Sequence, residues 1–207
     1  MVLPFPRRGL YAITPSFKDF ESLLKQVEAA LAGGAKVMQL RDKSRRLTHA
    51  QATLVLELCH TYAVPLIVND DLELAHRIGA DGVHLGREDA QAKEARKKLG
   101  PEAIVGISCY ADLNRALYAE RAGATYVAFG AFFPSATKPQ APLAPIELLT
   151  QAKALLHCPI VAIGGITPEN GAGLLQAGAD LLAAIAGVFT QDPRQSASRY
   201  ARLFYAD

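Results

Sequence analysis

Short apolar runs alternate with amphipathic stretches from one end of the chain to the other. The runs at 10–14, 36–40, 65–68, 82–85, 104–107, 126–130, 160–163 and 181–185 predict eight strands. Between them, residues 20–32, 50–62, 90–99, 114–122, 146–156 and 169–176 repeat an apolar side chain every third or fourth position, the period of a helix with one buried face. Strand and helix thus alternate, the pattern of a parallel sheet built from βα units.

A weak internal repeat sharpens this picture. Gly34-Ala35, Gly79-Ala80, Gly123-Ala124 and Gly178-Ala179 each close a helical stretch and precede strands two, four, six and eight. Glycine suits that place because it adopts the left-handed conformation that ends a helix. Strands three, five and seven follow Pro65, Pro101 and Pro159 instead, where proline blocks continuation of the preceding helix. Four such double units favour a closed (β/α)8 barrel, the TIM-barrel class of α/β fold, over an open doubly wound sheet. No linker or second composition zone interrupts them, so residues 1–207 are expected to form a single barrel domain. The one long non-periodic stretch, 132–145, follows strand six, and loops of that length in compact domains are usually functional.

Composition then removes several function classes. Half of the 207 residues are hydrophobic, ample for a packed core. The longest apolar run, 181–189, falls short of the about 20 residues of a spanning helix, so no membrane protein is expected. Residues 1–6 carry no basic region ahead of an apolar core, which argues against export. Three widely spaced cysteines, Cys59, Cys109 and Cys158, form no pair suited to zinc or redox work, which predicts a reducing cytoplasm. Lys and Arg number 22 against 20 Asp and Glu, a net charge of +2. The clusters Arg41-Lys43-Arg45-Arg46 and Arg96-Lys97-Lys98 lie on different segments, so no nucleic-acid face is expected. The second cluster reads as the solvated last turn of a helix.

In a (β/α)8 barrel, chemistry collects where the strands end at the C-terminal face. Strand two runs into Gln39-Leu40-Arg41-Asp42-Lys43, whose alternation puts Gln39, Arg41 and Lys43 on one side. Two cations and an amide at the mouth suit an anionic, oxygen-rich ligand. Asp70 and Asp89 follow strands three and four. Each alone could cap a helix; as a pair beside cations they offer what Mg²⁺ needs, one or two carboxylates plus phosphate oxygens. Asp71 and Glu73 read as first-turn helix acids.

Gly164-Gly165 and Ala186-Gly187, after strands seven and eight, are either tight turns or a place for a phosphate monoester held by backbone N–H groups. Ser135, Thr137 and Lys138 on the long loop read as a further anion contact. His84 is expected to touch ligand without moving a proton, and His49, His60, His76 and His157 to lie at the surface. Cys109 reads as a buried, inert thiol. No Gly-x-Ser-x-Gly elbow, Walker loop, dinucleotide fingerprint or Cys-x-x-Cys pair is present. The residues alone therefore describe a barrel mouth for Mg²⁺, a diphosphate and a second phosphate.

At these residues the chain resembles the thiamine-phosphate synthase family, over nearly its whole length. The resemblance is carried by Leu10-Tyr11-Ala12-Ile13-Thr14, Gln39-Leu40-Arg41-Asp42-Lys43, Asn69-Asp70, Asp81-Gly82-Val83-His84-Leu85-Gly86, Gly106-Ile107-Ser108, Thr137-Lys138 and Ala162-Ile163-Gly164-Gly165-Ile166, all in family order. It implies a transferase that joins 4-amino-5-hydroxymethyl-2-methylpyrimidine diphosphate to 4-methyl-5-(2-hydroxyethyl)thiazole phosphate, or its carboxylated form. Pyrophosphate leaves first, and the thiazole nitrogen attacks the resulting pyrimidine cation to give thiamine monophosphate.

The resemblance also implies roles by position. Asp70 and Asp89 would bind Mg²⁺, and Arg41, Lys43, Asn69 and Lys138 the diphosphate. Gln39, His84 and Ser108 would surround the pyrimidine. Ser135, Ala136, Thr137, Gly165, Ile185 and Ala186 would take the thiazole phosphate. Arg41, Lys43, Lys138 and Ser108 are the catalytic candidates. Small phosphorylated molecules are then the partners, and analogy with other barrel enzymes suggests a homo-oligomer.

Four positions depart from the family pattern: Tyr110 for a histidine, Ser135 for a threonine, Asp71 for an arginine and Ala186 for a serine. Two rival readings are a thiazole tautomerase, whose relatives lack the paired metal acids and the Thr-Lys loop, and a non-catalytic sensor of thiamine phosphates. Retention of Asp70, Asp89 and Lys138 ranks both below the synthase.

Overall fold

The computed structural model describes residues 2–44, 46–86, 90–135, 140 and 142–205. Eight parallel strands close into a barrel in sequence order: β1 (Gly9–Ile13), β2 (Val37–Leu40), β3 (Leu66–Asn69), β4 (Gly82–Leu85), β5 (Ile104–Tyr110), β6 (Tyr126–Phe129), β7 (Ile160–Ile163) and β8 (Leu181–Ala184). The ring is completed by β8 against β1, with Gly9 opposite Leu181 and Tyr11 opposite Ala183. Around it lie α1 (Phe20–Ala32), α2 (His49–Thr61), α3 (Leu72–Ile78), α4 (Ala90–Leu99), α5 (Leu113–Arg121), α6 (Glu147–Leu155), α7 (Gly171–Gln176), α8 (Ala186–Phe189) and α9 (Pro193–Arg202). None of these helices is long and apolar enough to cross a membrane.

Strand alternation sorts the core into two parts. Leu10, Ala12, Met38, Leu40, Leu66, Val68, Val83 and Leu85 face the helices and pack with Leu23, Val27, Val55 and Leu149. Tyr11, Ile13, Val37, Ile67, Ile104, Tyr126, Ala128, Val161, Leu181 and Ala183 fill the barrel itself. The helices start where short polar side chains cap them: Asp19, Thr48, Asp71, Asp112 and Asp192 each accept a backbone N–H from three residues on. Asp71 thus serves as a cap, in keeping with its reading as a helix acid.

Three helices carry too little periodic signal to be read from sequence. α3 and α8 are only 7 and 4 residues long. α9 is polar along most of its length and buries only Ser196, Ala197 and Tyr200. Strand β5 runs to Tyr110, three residues beyond the apolar run that predicted it, and so carries Ser108 on the strand.

The N-terminal end of the barrel is closed by the segment ahead of β1. The Phe5 ring stacks on Tyr126 with centroids 4.4 Å apart and planes 3° from parallel. Leu3 N donates to Asp81 Oδ1 at 2.7 Å, while Asp81 Oδ2 accepts from Leu66 N at 2.8 Å and lies 2.9 Å from His60 Nε2.

His60 is therefore a half-buried partner of Asp81, unlike the exposed His49, His76 and His157. The expectation of a solvated Arg96 is also corrected. Its guanidinium donates to the carbonyls of Pro101 and Gly123, each at 2.7 Å, and of Ala103, and so ties the loop before β5 to the loop before β6. A local charge pattern cannot register partners that lie on other loops.

Candidate active site

A cavity of about 460 Å³ opens at the C-terminal face of the strands. Gln39, Arg41, Lys43, Asn69, Asp70, His84, Ser108, Ser135, Gly165, Ile185 and Ala186 all line it. Asp89, Ala136, Thr137 and Lys138 lie outside the described residues. The β2 alternation persists past the end of the strand because Arg41 N donates to Thr14 Oγ1 at 2.8 Å and Thr14 N to Gln39 O at 3.0 Å. Those bonds keep Arg41 extended and on the same side as Gln39.

The floor of the cavity is neutral and polar. Gln39 Nε2 donates to Tyr11 Oη at 2.8 Å, and Tyr11 Oη lies 2.6 Å from Tyr126 Oη. His84 stands between Tyr126 Oη, 2.9 Å from Nδ1, and Ser108 Oγ, 2.8 Å from Nε2. Burial pushes both phenols far above their ordinary range, so both stay protonated; at Tyr11 the bonds to Tyr126 and Gln39 offset this only in part. A Cβ on Gly106 would meet the Tyr126 ring at 2.0 Å. The glycine ahead of Ser108 is therefore what lets the phenol cross the barrel beneath it.

The rim carries the charges and the strain. Asp70 has φ +61° and Tyr110 φ +54°, left-handed values that cost a non-glycine residue roughly 1–3 kcal/mol. Each is held by a backbone bond: Asp70 N donates to His84 O at 2.9 Å, and Gly130 N to Tyr110 O at 3.0 Å. The β5–β6 register shifts between Ser108 and Tyr110, which turns the half-exposed Tyr110 side chain to the mouth. Asp70 Oδ2 accepts from Asn69 Nδ2 at 2.7 Å. Its Oδ1 faces Gly86, 4.0 Å from where a Cβ there would sit, at the start of the segment that carries Asp89.

The long loop after β6 is stitched to the turn after β7. Phe132 N donates to Ile163 O at 3.2 Å and Phe133 N to Gly164 O at 3.0 Å, which brings Ser135 to the cavity. Gly165, with φ +60°, leaves no room for a side chain, since a Cβ would lie 2.3 Å from Pro134 O. Beneath this turn Tyr200 Oη of α9 donates to Ile166 O at 2.6 Å.

Tyr11 and Tyr126 escaped the sequence reading as site residues. Their signal was present, because each is a hydroxyl at an inward position of an otherwise apolar strand. Cys109, one residue past Ser108, points away from the cavity and is fully buried, as expected of an inert thiol.

The family model for thiamine monophosphate synthase matches residues 10–188, a span that holds every cavity residue named above. The chain belongs to the thiamine monophosphate synthase family. It is 53% identical over 202 residues to the thiamine-phosphate synthase of Thiobacillus denitrificans, covering 96% of each chain. It is 51% identical over 209 residues to that of Methylococcus capsulatus, covering 100% of this chain and 93% of the relative. Among solved structures, the thiamine phosphate pyrophosphorylase of Pyrococcus furiosus superposes with a TM-score of 0.82 at 31% identity, covering 96% of each chain. A 3-hexulose-6-phosphate synthase from Salmonella typhimurium shares the barrel alone, with a TM-score of 0.74 at 16% identity over 95% of this chain and 98% of the other. The barrel expected from the βα alternation and the family expected from the motifs are both found.

Proposed function

We propose that the chain is a thiamine-phosphate synthase, a transferase that moves a pyrimidinylmethyl group from 4-amino-5-hydroxymethyl-2-methylpyrimidine diphosphate to a thiazole phosphate. The observation that carries this reading is the meeting of Arg41, Lys43, Asn69 and Asp70 with Gln39, His84 and Ser108 on one cavity, in a chain of this family. The CH₂–O bond of the diphosphate breaks and its electron pair leaves with pyrophosphate. The aminopyrimidine delocalises the cation until the thiazole nitrogen lone pair forms the new C–N bond. No proton need move, which agrees with a floor of protonated phenols and a histidine engaged at both ring nitrogens.

Arg41 and Lys43, with Lys138 from the long loop, hold the diphosphate and stabilise the charge that grows on it. One such donor is typically worth a factor of about 10²–10³ in rate. Gln39, His84 and Ser108 orient the pyrimidine, and the backbone N–H groups near Gly165, Ile185 and Ala186, with the 135–137 segment, take the thiazole phosphate.

The donor set fits a divalent cation. No group of three or more His, Cys, Asp or Glu that could hold a metal ion occurs among the described residues, whereas Asp70 offers one carboxylate on the cavity wall. Mg²⁺ asks for little more, since it takes one or two carboxylates and fills its shell with phosphate oxygens and water. Asp70 and Asp89 would hold it, and when bound it supplies positive charge to the diphosphate.

The test is to incubate the purified protein with both phosphorylated substrates, with and without Mg²⁺, and assay both products. Thiamine monophosphate and pyrophosphate should appear together and only with metal. Absence of both, with the thiazole phosphate still bound, would overturn the assignment.

A further inference from the structure

With the Gln39 amide nitrogen as donor, one order of protons lets both buried phenols of the cavity floor donate as well as accept. An amide nitrogen donates and does not accept, so Gln39 fixes the sense of its bond to Tyr11. Tyr11, already accepting from Gln39, has Tyr126 as the acceptor for its own proton. Tyr126 then donates to His84 Nδ1, which must be bare. A neutral imidazole carries one N–H, and here it falls on Nε2, pointing at Ser108 Oγ. Ser108 accepts from His84, and its own proton is directed away from the ring.

We propose that Tyr11 and Tyr126 are positioning residues that carry the donor sense of the Gln39 amide across the barrel, fix the Nε2–H tautomer of His84, and so present the Ser108 hydroxyl to the substrate as a donor. The chain joins β2, β1, β6, β4 and β5, and no bond in it links residues closer than 24 positions apart. Both phenols are fully buried, and Tyr126 is gripped between Phe5 and the space at Gly106, so neither hydroxyl can turn to another partner.

The ligand chemistry follows from the polarity. At one end Ser108 offers O–H to a heteroaromatic nitrogen lone pair. At the other, Gln39 keeps its amide oxygen for an N–H donor. An aminopyrimidine supplies one of each. This matching to substrate rests on the synthase reading above; the polarity of the chain does not.

The test uses the full-length protein with ¹⁵N-labelled histidine, the His84 ring signals being identified by their loss in His84→Asn. In the unliganded wild type, His84 should show a bare Nδ1 and a protonated Nε2. In Gln39→Glu the carboxylate accepts from Tyr11 and reverses every bond downstream, so the proton should move to Nδ1. Tyr126→Phe keeps the ring that stacks on Phe5 but removes the donor to His84. It should give a mixture of tautomers and raise KM for the pyrimidine diphosphate about tenfold, the effect of losing one hydrogen bond near a polar ligand, with KM for the thiazole phosphate within about twofold.

A wild type protonated at Nδ1, or a Nε2–H tautomer that persists in both variants, would overturn the proposal. The tautomer readout needs no turnover. Absence of thiamine monophosphate synthesis by the wild type, alongside the expected tautomers, would therefore sink the synthase reading and leave the hydrogen-bond chain standing.

Discussion

Carboxylates at the two ends of the barrel can serve opposite purposes, and Asp70 at the mouth differs even from its neighbours Asp19, Asp71 and Asp112, which cap helices there. At the N-terminal end three carboxylates are enclosed by backbone amides: Asp81 accepts from Leu3 N and Leu66 N, Glu120 from His157 N and Cys158 N, and Asp180 from Ile160 N while pairing with Lys153. Each gives an acceptor to an N–H entering a strand or loop, which an apolar neighbour could not do. At the C-terminal end Asp70 has, among the described residues, only the side-chain amide of Asn69, stands exposed, and is held in a left-handed backbone. The same functional group serves folding where backbone N–H groups surround it, as at Asp81, and is left open to a ligand where they do not, as at Asp70.

Substitutions can break that contrast, and the largest effect belongs to the mouth. Asp70→Asn keeps a side chain that tolerates the left-handed backbone and removes only the negative charge. Its kcat/KM should fall by roughly 10²–10³, equivalent to about 3–4 kcal/mol, with an unchanged melting temperature in a parallel thermal scan. A near-normal rate would remove Asp70 from the metal site.

Asp81→Ala should do the reverse. It leaves the buried Leu66 N–H, the part-buried Leu3 N–H and His60 without their acceptor, costing about 3 kcal/mol in urea unfolding, while turnover of the folded fraction stays within about twofold. An unchanged midpoint would show that the segment ahead of β1 does not depend on this clamp.

The smallest effect is expected at Glu120. Burial pushes its carboxyl up, but the N–H groups of Cys158 and His157 outweigh that and hold it below the ordinary carboxylate range. A carboxyl lowered on folding contributes stability above its unfolded value, about 4.3, and loses it as the pH falls through the lowered folded value. Glu120→Gln should therefore cost about 1 kcal/mol near neutrality, and the gap from wild type should close as the pH falls below about 4. A gap that does not change with pH would mean that the charge contributes nothing.

What sequence could reveal here was set by range. Period-two alternation is local, and it sufficed to place Gln39, Arg41 and Lys43 on one side and to anticipate the strands that aim them. The turn glycines and the prolines before odd strands are local too. The floor of the cavity is not, since its bonds span from 24 to 115 positions, and an inward tyrosine shows neither its depth nor its partner in its own neighbourhood. Arg96 and His60 were misread for the same reason: their acceptors belong to other loops. Tyr110 stood out as an unusual residue, but a tyrosine gives no sign of a positive φ, so its bulge had to be seen.

The pairing of Gly9 with Leu181 has a consequence for synthesis of the chain on the ribosome. β1 finds one neighbour, β2, at once, but its other neighbour is the last strand made. At about 5–20 residues per second, the wait between β2 and β8 lasts on the order of ten seconds. Throughout it the nascent sheet has an unpaired border that another nascent chain could extend. Arg7 and Arg8, exposed just before β1, set two like charges beside that border, a simple deterrent to a second copy approaching in register.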